Sequence, residues 1–359
     1  FTDEQLKFPG KKGICLTMRQ SGKPGSAEEN LPRLQKVNPY WSYSWGWDQV
    51  PNQPANVEFV PMAWGAWSVD GLSKGLQKSV VPHIRSGKVK RFFGFNEPDK
   101  KEQANMSYQA ALKYWPQLEA LKVPLCSPAC ANPEGINDNS VQGVRGTWMK
   151  DFMLEADRRG YRVDYTGVHW YGGTHVQHFK DKMRRIYEKY GKRPILITEF
   201  APADWEARRL SQNRHKTEYV LAFMKEVLPW LERQDWVAGY AWFSFEHNQA
   251  VGHTSSLYDA KGNHALPELD IEVEEQVESR CLQLADEVVD KDILEAGEQV
   301  ADEAATGVEV NLNAVAVKLD RQDLDKDQVV IIIPPCGKGD NHVSGEVDID
   351  LAVAGSSKA

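Results

Sequence analysis

The sequence predicts an α/β fold: a (β/α)8 TIM barrel with a small acidic C-terminal appendage. Three observations predict it. Short, nearly continuous apolar runs recur eight times between residues 13 and 244. Amphipathic helical patterns fill most gaps between the runs, each wanting one buried face. Beyond about residue 260 the aromatic residues stop and the charge turns acidic.

The eight runs are Gly13–Met18, Tyr40–Trp47, Val57–Trp64, Arg91–Glu97, Val123–Ser127, Tyr165–Tyr171, Pro194–Glu199 and Ala238–Ser244. Runs of this kind suit parallel strands covered on both faces. Helical spacing is read over Leu72–Ile84, Tyr108–Leu121, Trp148–Ala156, Phe179–Tyr190 and Tyr219–Leu231. The gap between the second and third runs is too short for a full helix, so one outer helix is expected to be missing. Strand–helix alternation repeated eight times points to the barrel. A doubly wound open sheet would want a Gly-rich phosphate loop after its first strand, and none is present.

The 359 residues leave room for one large domain plus an appendage. The chain is 41% apolar and 26% charged, ordinary for a globular enzyme, but 12 Trp are unusual. The last aromatic residue is Tyr258. Residues 271–359 carry 21 acidic and 7 basic side chains, a net charge of −14, which leaves about +6 of the chain's −8 for residues 1–270. That modest surplus is no nucleic-acid footprint. No apolar stretch reaches the roughly 20 residues of a membrane span. The five cysteines, Cys15, Cys126, Cys130, Cys281 and Cys336, show no zinc spacing. Cys126 and Cys130 are either a short bridge or, more simply, free buried thiols. The chain starts at Phe1 without an initiator Met or an apolar leader, which fits a secreted product with its signal peptide removed.

Residues 1–300 are assigned to the barrel, with Leu269–Glu298 supplying its eighth helix and one more. Residues 301–359 form the acidic extension. Val308–Val317, Val329–Ile333 and Val343–Val353 read as strands within it, so it is small and β-rich or else partly disordered. Having no aromatic side chain to stack on sugar, it does not read as a carbohydrate-binding module.

Barrel active sites lie at the C-terminal strand ends. Those ends carry Asn96-Glu97-Pro98-Asp99 on strand four and Thr198-Glu199-Phe200 on strand seven. Strand six ends in His169-Trp170-Tyr171, strand two in Trp45-Gly46-Trp47 and strand three in Trp64-Gly65-Ala66-Trp67. Two glutamates facing one mouth are what glycosidic cleavage needs: one protonates the leaving oxygen and the other attacks the anomeric carbon. Either motif alone is weak, since Asn and Pro also make turns and a strand-end Glu is often a solvated rim residue. Together, on opposite strands of a Trp-rich mouth, they point to catalysis.

The segments Gly94–Asp99, Ile197–Ala201, Glu58–Gly65 and Val168–Gly173 make residues 11–266 resemble glycoside hydrolase family 128. That family groups retaining endo-β-1,3-glucanases and related β-1,3-glucan-active proteins, in a clan of barrels with glutamates on strands four and seven. The resemblance implies Glu97 as acid/base, Glu199 as nucleophile and Asn96 as a partner of the sugar 2-hydroxyl. It also puts Tyr171 in place to orient Glu199. His169 shares a strand face with Tyr171 and either does the same work, lines the floor of a subsite or is a satisfied core histidine.

Sugar rings stack on flat indoles. Trp41, Trp45 and Trp47 alternate onto one face of strand two, and Trp64, Trp67, Trp205 and Trp242 sit at or after strand ends. At least three of these seven are expected to touch substrate. Trp115, Trp148, Trp230 and Trp236 are assigned to packing. The expected function is a retaining endo-β-1,3-glucanase working by double displacement, a monomer that uses no cofactor or metal and engages neither nucleic acid nor membrane. The alternatives are the same mechanism on a β-1,4- or β-1,6-linked glucan, or a β-1,3-glucan-binding protein with little turnover.

Overall fold

A computed structural model of the chain describes residues 1–17, 26–70, 76, 78–134 and 147–262, and the backbone of 309–312 and 315–318. Eight parallel strands form the core: β1 Lys12–Cys15, β2 Trp41–Tyr43, β3 Glu58–Phe59, β4 Phe92–Phe93, β5 Leu125–Cys126, β6 Thr166–Gly172, β7 Ile195–Pro202 and β8 Val237–Trp242. Six of them pair in the order β3-β2-β1-β8-β7-β6, and β4 pairs with β5. Isolated parallel bridges Met62↔Phe93 and Cys126↔Tyr165 join the two groups, so the sheet closes on itself. This is the (β/α)8 barrel the apolar runs predict, with β1 to β5 and β8 shorter than their runs and β7 longer.

The helices are α1 Asp3–Leu6, α2 Ala27–Val37, α3 Ala66–Asp70, α4 Val81–Arg85, α5 Tyr108–Glu119, α6 Trp148–Arg158, α7 Val176–Lys189 and α8 Thr217–Glu232. No helix lies between β2 and β3, as the short gap requires. Each long outer helix buries one stripe: Ala111, Leu112, Trp115 and Leu118 on α5, and Phe179, Met183 and Ile186 on α7. Helix α4 covers the C-terminal end of the Leu72–Ile84 pattern, and residues 71–75 and 77 lie outside the described set.

The barrel interior is narrow, and glycines make room for its largest ring. A Cβ at Gly13 would fall 2.1 Å from the Trp41 ring, and one at Gly239 would lie 3.1 Å from its Nε1. Trp41 is fully buried in this gap and donates to the Lys11 carbonyl at 2.9 Å. Below it the N-terminal segment closes the floor, with Phe8 5.2 Å from Trp41 and 5.8 Å from Tyr165.

Cys15, Cys126 and Cys130 are buried free thiols, so the short bridge does not form. Cys281 and Cys336 lie outside the described residues, as do Leu269–Glu298, the 300/301 boundary and the last two expected strands. The chain divides into units Phe1–Val273 and Glu274–Ala359. In the second, β9 Glu309–Leu312 and β10 Val315–Lys318 pair antiparallel. Among the described residues no helix is long and apolar enough to cross a membrane.

Candidate active site

Both carboxylates reach the mouth through local departures from regular strand geometry. Along β7 strict alternation from the inward Leu196 would turn Glu199 outward. The pairing of β7 with both neighbours instead slips by one residue. Ile197 and Glu199 face the consecutive Val168 and His169 of β6, and Ile197 and Phe200 face Tyr240 and Trp242 of β8. The extra residue is a bulge that re-aims the side chains beyond it: Phe200 joins the outer core while Glu199 turns in. Glu97, just past β4, holds φ at +40°, in the left-handed region that L-residues seldom occupy. Such strain persists only where surrounding bonds over-determine it. Here Glu97 N–H donates to the Ala129 carbonyl at 2.8 Å. Asp99 accepts from the N–H groups of Ala131 and Asn132 at 2.8 and 2.9 Å, which ties this turn to the one after β5.

The two glutamates have different surroundings. Glu199 Oε2 accepts from the Tyr171 hydroxyl at 2.6 Å and its Oε1 from the Trp45 indole N–H at 2.7 Å; the Tyr43 hydroxyl lies 3.4 Å from Oε1 and has the Thr198 carbonyl as its nearer acceptor at 2.9 Å. Burial and then the Glu199 charge push both tyrosine hydroxyls well above their ordinary pKa, so they remain donors. Glu97 has fewer partners: His169 Nδ1 lies 3.0 Å from its Oε1 and Lys100 Nζ 3.7 Å from its Oε2. Burial alone would raise this carboxyl. The bond and charge of His169, helped by Lys100, outweigh burial and hold it below its ordinary value. Conversely, burial would lower His169, but Glu199 and Glu97 hold it raised.

His169 stands between the carboxylates, its Nδ1 also 3.4 Å from Glu199 Oε2. One ligating atom from each of Glu97, His169 and Glu199 falls within 4.8 Å of the others, compact enough for a metal ion. A metal-binding histidine hands its second N–H to an acceptor. His169 Nε2 is buried with no partner among the described residues, and Nδ1 points where a donor between two acceptors would point. The donor set therefore fits proton handling better than coordination.

Asn96 is buried next to Glu97 and donates from Nδ2 to Gln103 Oε1 at 3.1 Å. Its Oδ1 has no partner among the described residues. The rim is aromatic. Trp67 and Trp205 are 68% and 52% exposed, values far from those of core rings. Trp64 lies 6.3 Å from Trp67, and Trp205 lies edge-on to Tyr171 at 5.4 Å, with Lys100 Nζ 5.5 Å over its ring.

Three of the seven predicted stacking tryptophans are elsewhere. Trp41 fills the lower barrel interior, as described. Trp242 faces outward, packed on Phe200 at 5.2 Å, with its N–H on the Ser255 carbonyl at 2.9 Å. Strand β2 ends at Tyr43, and Trp45 turns the chain with φ +56°, so Trp47 leaves the face it was expected to share. It lines a crevice of about 410 Å³ with Phe59, Pro61, Val80 and His83. Trp115, Trp148 and Trp230 pack in the outer layer, and Trp236 stacks on Tyr187 at 5.1 Å.

The sequence reading missed Tyr43, Lys100, Phe243 and Phe245. Phe243 lies 6.0 Å from Trp45 and 5.5 Å from Tyr171, and Phe245 4.9 Å from Phe243. A signal for Phe243 was available: Gly239 and Ala241 are the small residues a crowded barrel interior demands, and Phe243 continues their alternation.

Comparison with known proteins agrees with this geometry. A family described as glycosyl hydrolase catalytic core matches residues 24–268. The chain is similar to a subgroup I family 128 endo-β-1,3-glucanase of Amycolatopsis mediterranei solved with laminaritriose. They are 31% identical over 71% of this chain and 95% of that one, with a TM-score of 0.55. A subgroup V exo-β-1,3-glucanase of Cryptococcus neoformans is 25% identical over 71% and 95%, with a TM-score of 0.54. A subgroup II endo-β-1,3-glucanase of Sorangium cellulosum shares the fold at 24% identity, over 72% and 96%, with a TM-score of 0.54. None of the curated protein sequences matches the chain.

Proposed function

The chain belongs to glycoside hydrolase family 128 and is a glycoside hydrolase; from that premise we propose that it cleaves β-1,3-glucan within the polymer, with retention of configuration. One observation carries the mechanistic part. Carboxylate oxygens of Glu97 and Glu199 approach within 4.8 Å. Retaining enzymes hold their carboxyl groups ~5–5.5 Å apart, while inverting ones need ~6.5–9.5 Å to admit a water.

Glu199 is the nucleophile. Its donors Trp45 and Tyr171 hold one carboxylate oxygen each and fix its orientation. It attacks the anomeric carbon as the glycosidic bond breaks, and Glu97 gives its proton to the leaving oxygen. Water then attacks the glycosyl ester, Glu97 takes the water proton, and Glu199 is released. Asn96 Oδ1, which has no partner among the described residues, is suited to receive the sugar 2-hydroxyl. Trp45, Trp64, Trp67 and Trp205, with Phe243 and Phe245, offer faces for successive rings.

The test is to follow laminari-oligosaccharide cleavage by proton NMR. The first product should be the β anomer, and an α anomer would overturn retention. Laminarin and curdlan should be degraded to a spread of oligomers, with cellulose and pustulan resisting. Release of glucose alone from the outset would mean exo action. A polymeric substrate also suits a secreted enzyme, and activity in the culture medium rather than the cells checks that. We assign residues 301–359 no part in catalysis, since they offer no aromatic face to sugar. Truncation after Gly307 should keep kcat/KM on short oligosaccharides within a few-fold, and a larger loss with the fold intact would overturn that assignment.

A further inference from the structure

We propose that His169 is a positioning residue for the second half of the reaction: its Nδ1–H, bonded to Glu97 and also attracted by the Glu199 charge in the free enzyme, is held by Glu97 alone once Glu199 is esterified. The proposal rests on the retaining reading above. In the free enzyme the imidazole is fully buried, and among the described residues its Nε2 has no partner. Its polar engagement is therefore with Glu97 at 3.0 Å and Glu199 at 3.4 Å. Strand pairing sets His169 opposite Glu199 across the β7 bulge, so the ring has little freedom to leave.

Attack by Glu199 converts its carboxylate into a neutral ester. An ester oxygen carries no net charge and accepts a hydrogen bond more weakly than a carboxylate. The donor then faces one charged carboxylate, Glu97, which has just given its proton to the leaving oxygen. A donor to the charged form favours that form, so His169 keeps Glu97 ionised and ready to take a proton from the attacking water. The first step asks the opposite of Glu97, because it must then carry a proton. His169 thus assists deglycosylation and gives glycosylation no help. His169 itself neither gains nor loses a proton in the cycle: the water proton goes to Glu97, and the liberated Glu199 carboxylate restores its charge beside the Nδ1–H. The other described groups facing this site are Asp99, whose charge also acts on the imidazole, Lys100 on the far oxygen of Glu97, and Tyr171, Trp45 and Tyr43 around Glu199.

The test compares His169→Leu and His169→Asn in the full chain, on a dinitrophenyl β-laminaribioside, whose leaving group needs no acid. Leu removes the donor, whereas the Asn amide can place an N–H near the Nδ1 position. For the Leu variant kcat should fall at least ~tenfold, within the range of a weakened general base, while kcat/KM, which reports glycosylation, stays within a few-fold. A glycosyl-enzyme adduct should accumulate in quenched samples by intact mass. Azide, a nucleophile that needs no base, should restore turnover, and Asn should recover most of kcat. With the lowering influence on Glu97 gone, the acid limb of kcat should move to higher pH. Should the Leu variant fail to fold, the Asn variant is read alone: near-normal kcat supports the proposal and an equal drop in kcat and kcat/KM overturns it. Equal drops in the Leu variant, no adduct and no azide effect would likewise overturn it. An α product from the wild type would instead sink the retaining reading, whatever the variants do.

Discussion

On the barrel floor Arg91 bonds Glu58 at 2.5 and 3.2 Å, the Leu6 and Lys7 carbonyls at 3.2 and 2.9 Å and the Tyr165 hydroxyl at 3.1 Å. The Phe8 ring lies 3.8 Å across its guanidinium. At the mouth, Glu97 and Glu199 are buried as well, yet Asn96 Oδ1 and His169 Nε2 beside them have no partner among the described residues. The floor is a saturated polar network, which rigidifies. The mouth instead holds two buried carboxylates close together, an arrangement that like charge makes costly and that the chemistry requires. The two ends therefore separate stability from function within one barrel, and substitutions at either end should separate them too.

The largest contrast is Glu199→Gln against Arg91→Met. The first should lower kcat by roughly 10⁴-fold or more, the scale on which nucleophile losses fall, and leave thermal stability unchanged or slightly higher. The second strands Glu58 without its cation, which costs about 3–5 kcal/mol. For a domain of this size that lowers Tm by about 2–4 °C per kcal/mol. Protein that remains folded should turn over normally. Calorimetry beside laminarin assays checks both, and an Arg91→Met protein of normal Tm would break the contrast.

A narrower contrast sits on adjacent residues of one strand. Trp242 is packed outward and Phe243 inward. Trp242→Ala should cost about 3–5 kcal/mol of stability, whereas Phe243→Ala should mainly reduce kcat/KM. Denaturant melts and kinetics on laminaripentaose decide. A stable Trp242→Ala with poor kinetics would return that indole to the binding groove.

This pair also marks how far the sequence could be read. The eight strands, the long outer helices and the missing one are written in apolar spacing, because burial on both strand faces demands it. The strand-end glutamates and Tyr171 are legible because a barrel exposes strand ends at one mouth. Facing is harder, since a one-residue shift reverses it. The chemistry of Trp242 points to the mouth, although Gly239 and Ala241 mark the inner face. Trp47 was lost to a single left-handed residue at Trp45, and the β7 bulge that brings Glu199 inward has no signature of its own. Lys100 and Tyr43 meet the carboxylates only after the chain has folded.

The mouth should also give the fold a pH signature. Glu97 is held below its ordinary 4.5, so its contribution is complete above that value and lost as pH falls through the lowered one. His169 is held above its ordinary 6.5, so its contribution is complete below that value and lost as pH rises through the raised one. The pair therefore contributes most between 4.5 and 6.5. In Tm measured against pH, Glu97→Gln should flatten the acid side and His169→Leu the alkaline side. Unchanged profiles in both would mean that the pair is not coupled to folding.

The smallest effect belongs to Trp205, whose exposure makes it the strictest test of the division. The residue is 52% exposed, and its ring touches Tyr171 edge-on at 5.4 Å and Phe245 at 6.2 Å. Its loop does not depend on the indole. The buried Asp204 carboxylate accepts from the Glu206 and Arg214 N–H groups and from the Arg214 guanidinium at 2.8 and 2.9 Å. Trp205→Ala should therefore change stability by no more than about 0.5 kcal/mol. A lost ring contact is worth about 0.5–1.5 kcal/mol, a few-fold in KM, and it should appear with long laminari-oligosaccharides rather than short ones. Cutting the anchor instead, with Asp204→Asn, should reproduce that KM change by loosening the loop and should lower Tm as well. If Trp205→Ala destabilises the barrel as much as Trp242→Ala, exposure at the mouth does not mark binding, and the contrast between the two ends fails where it should be cleanest.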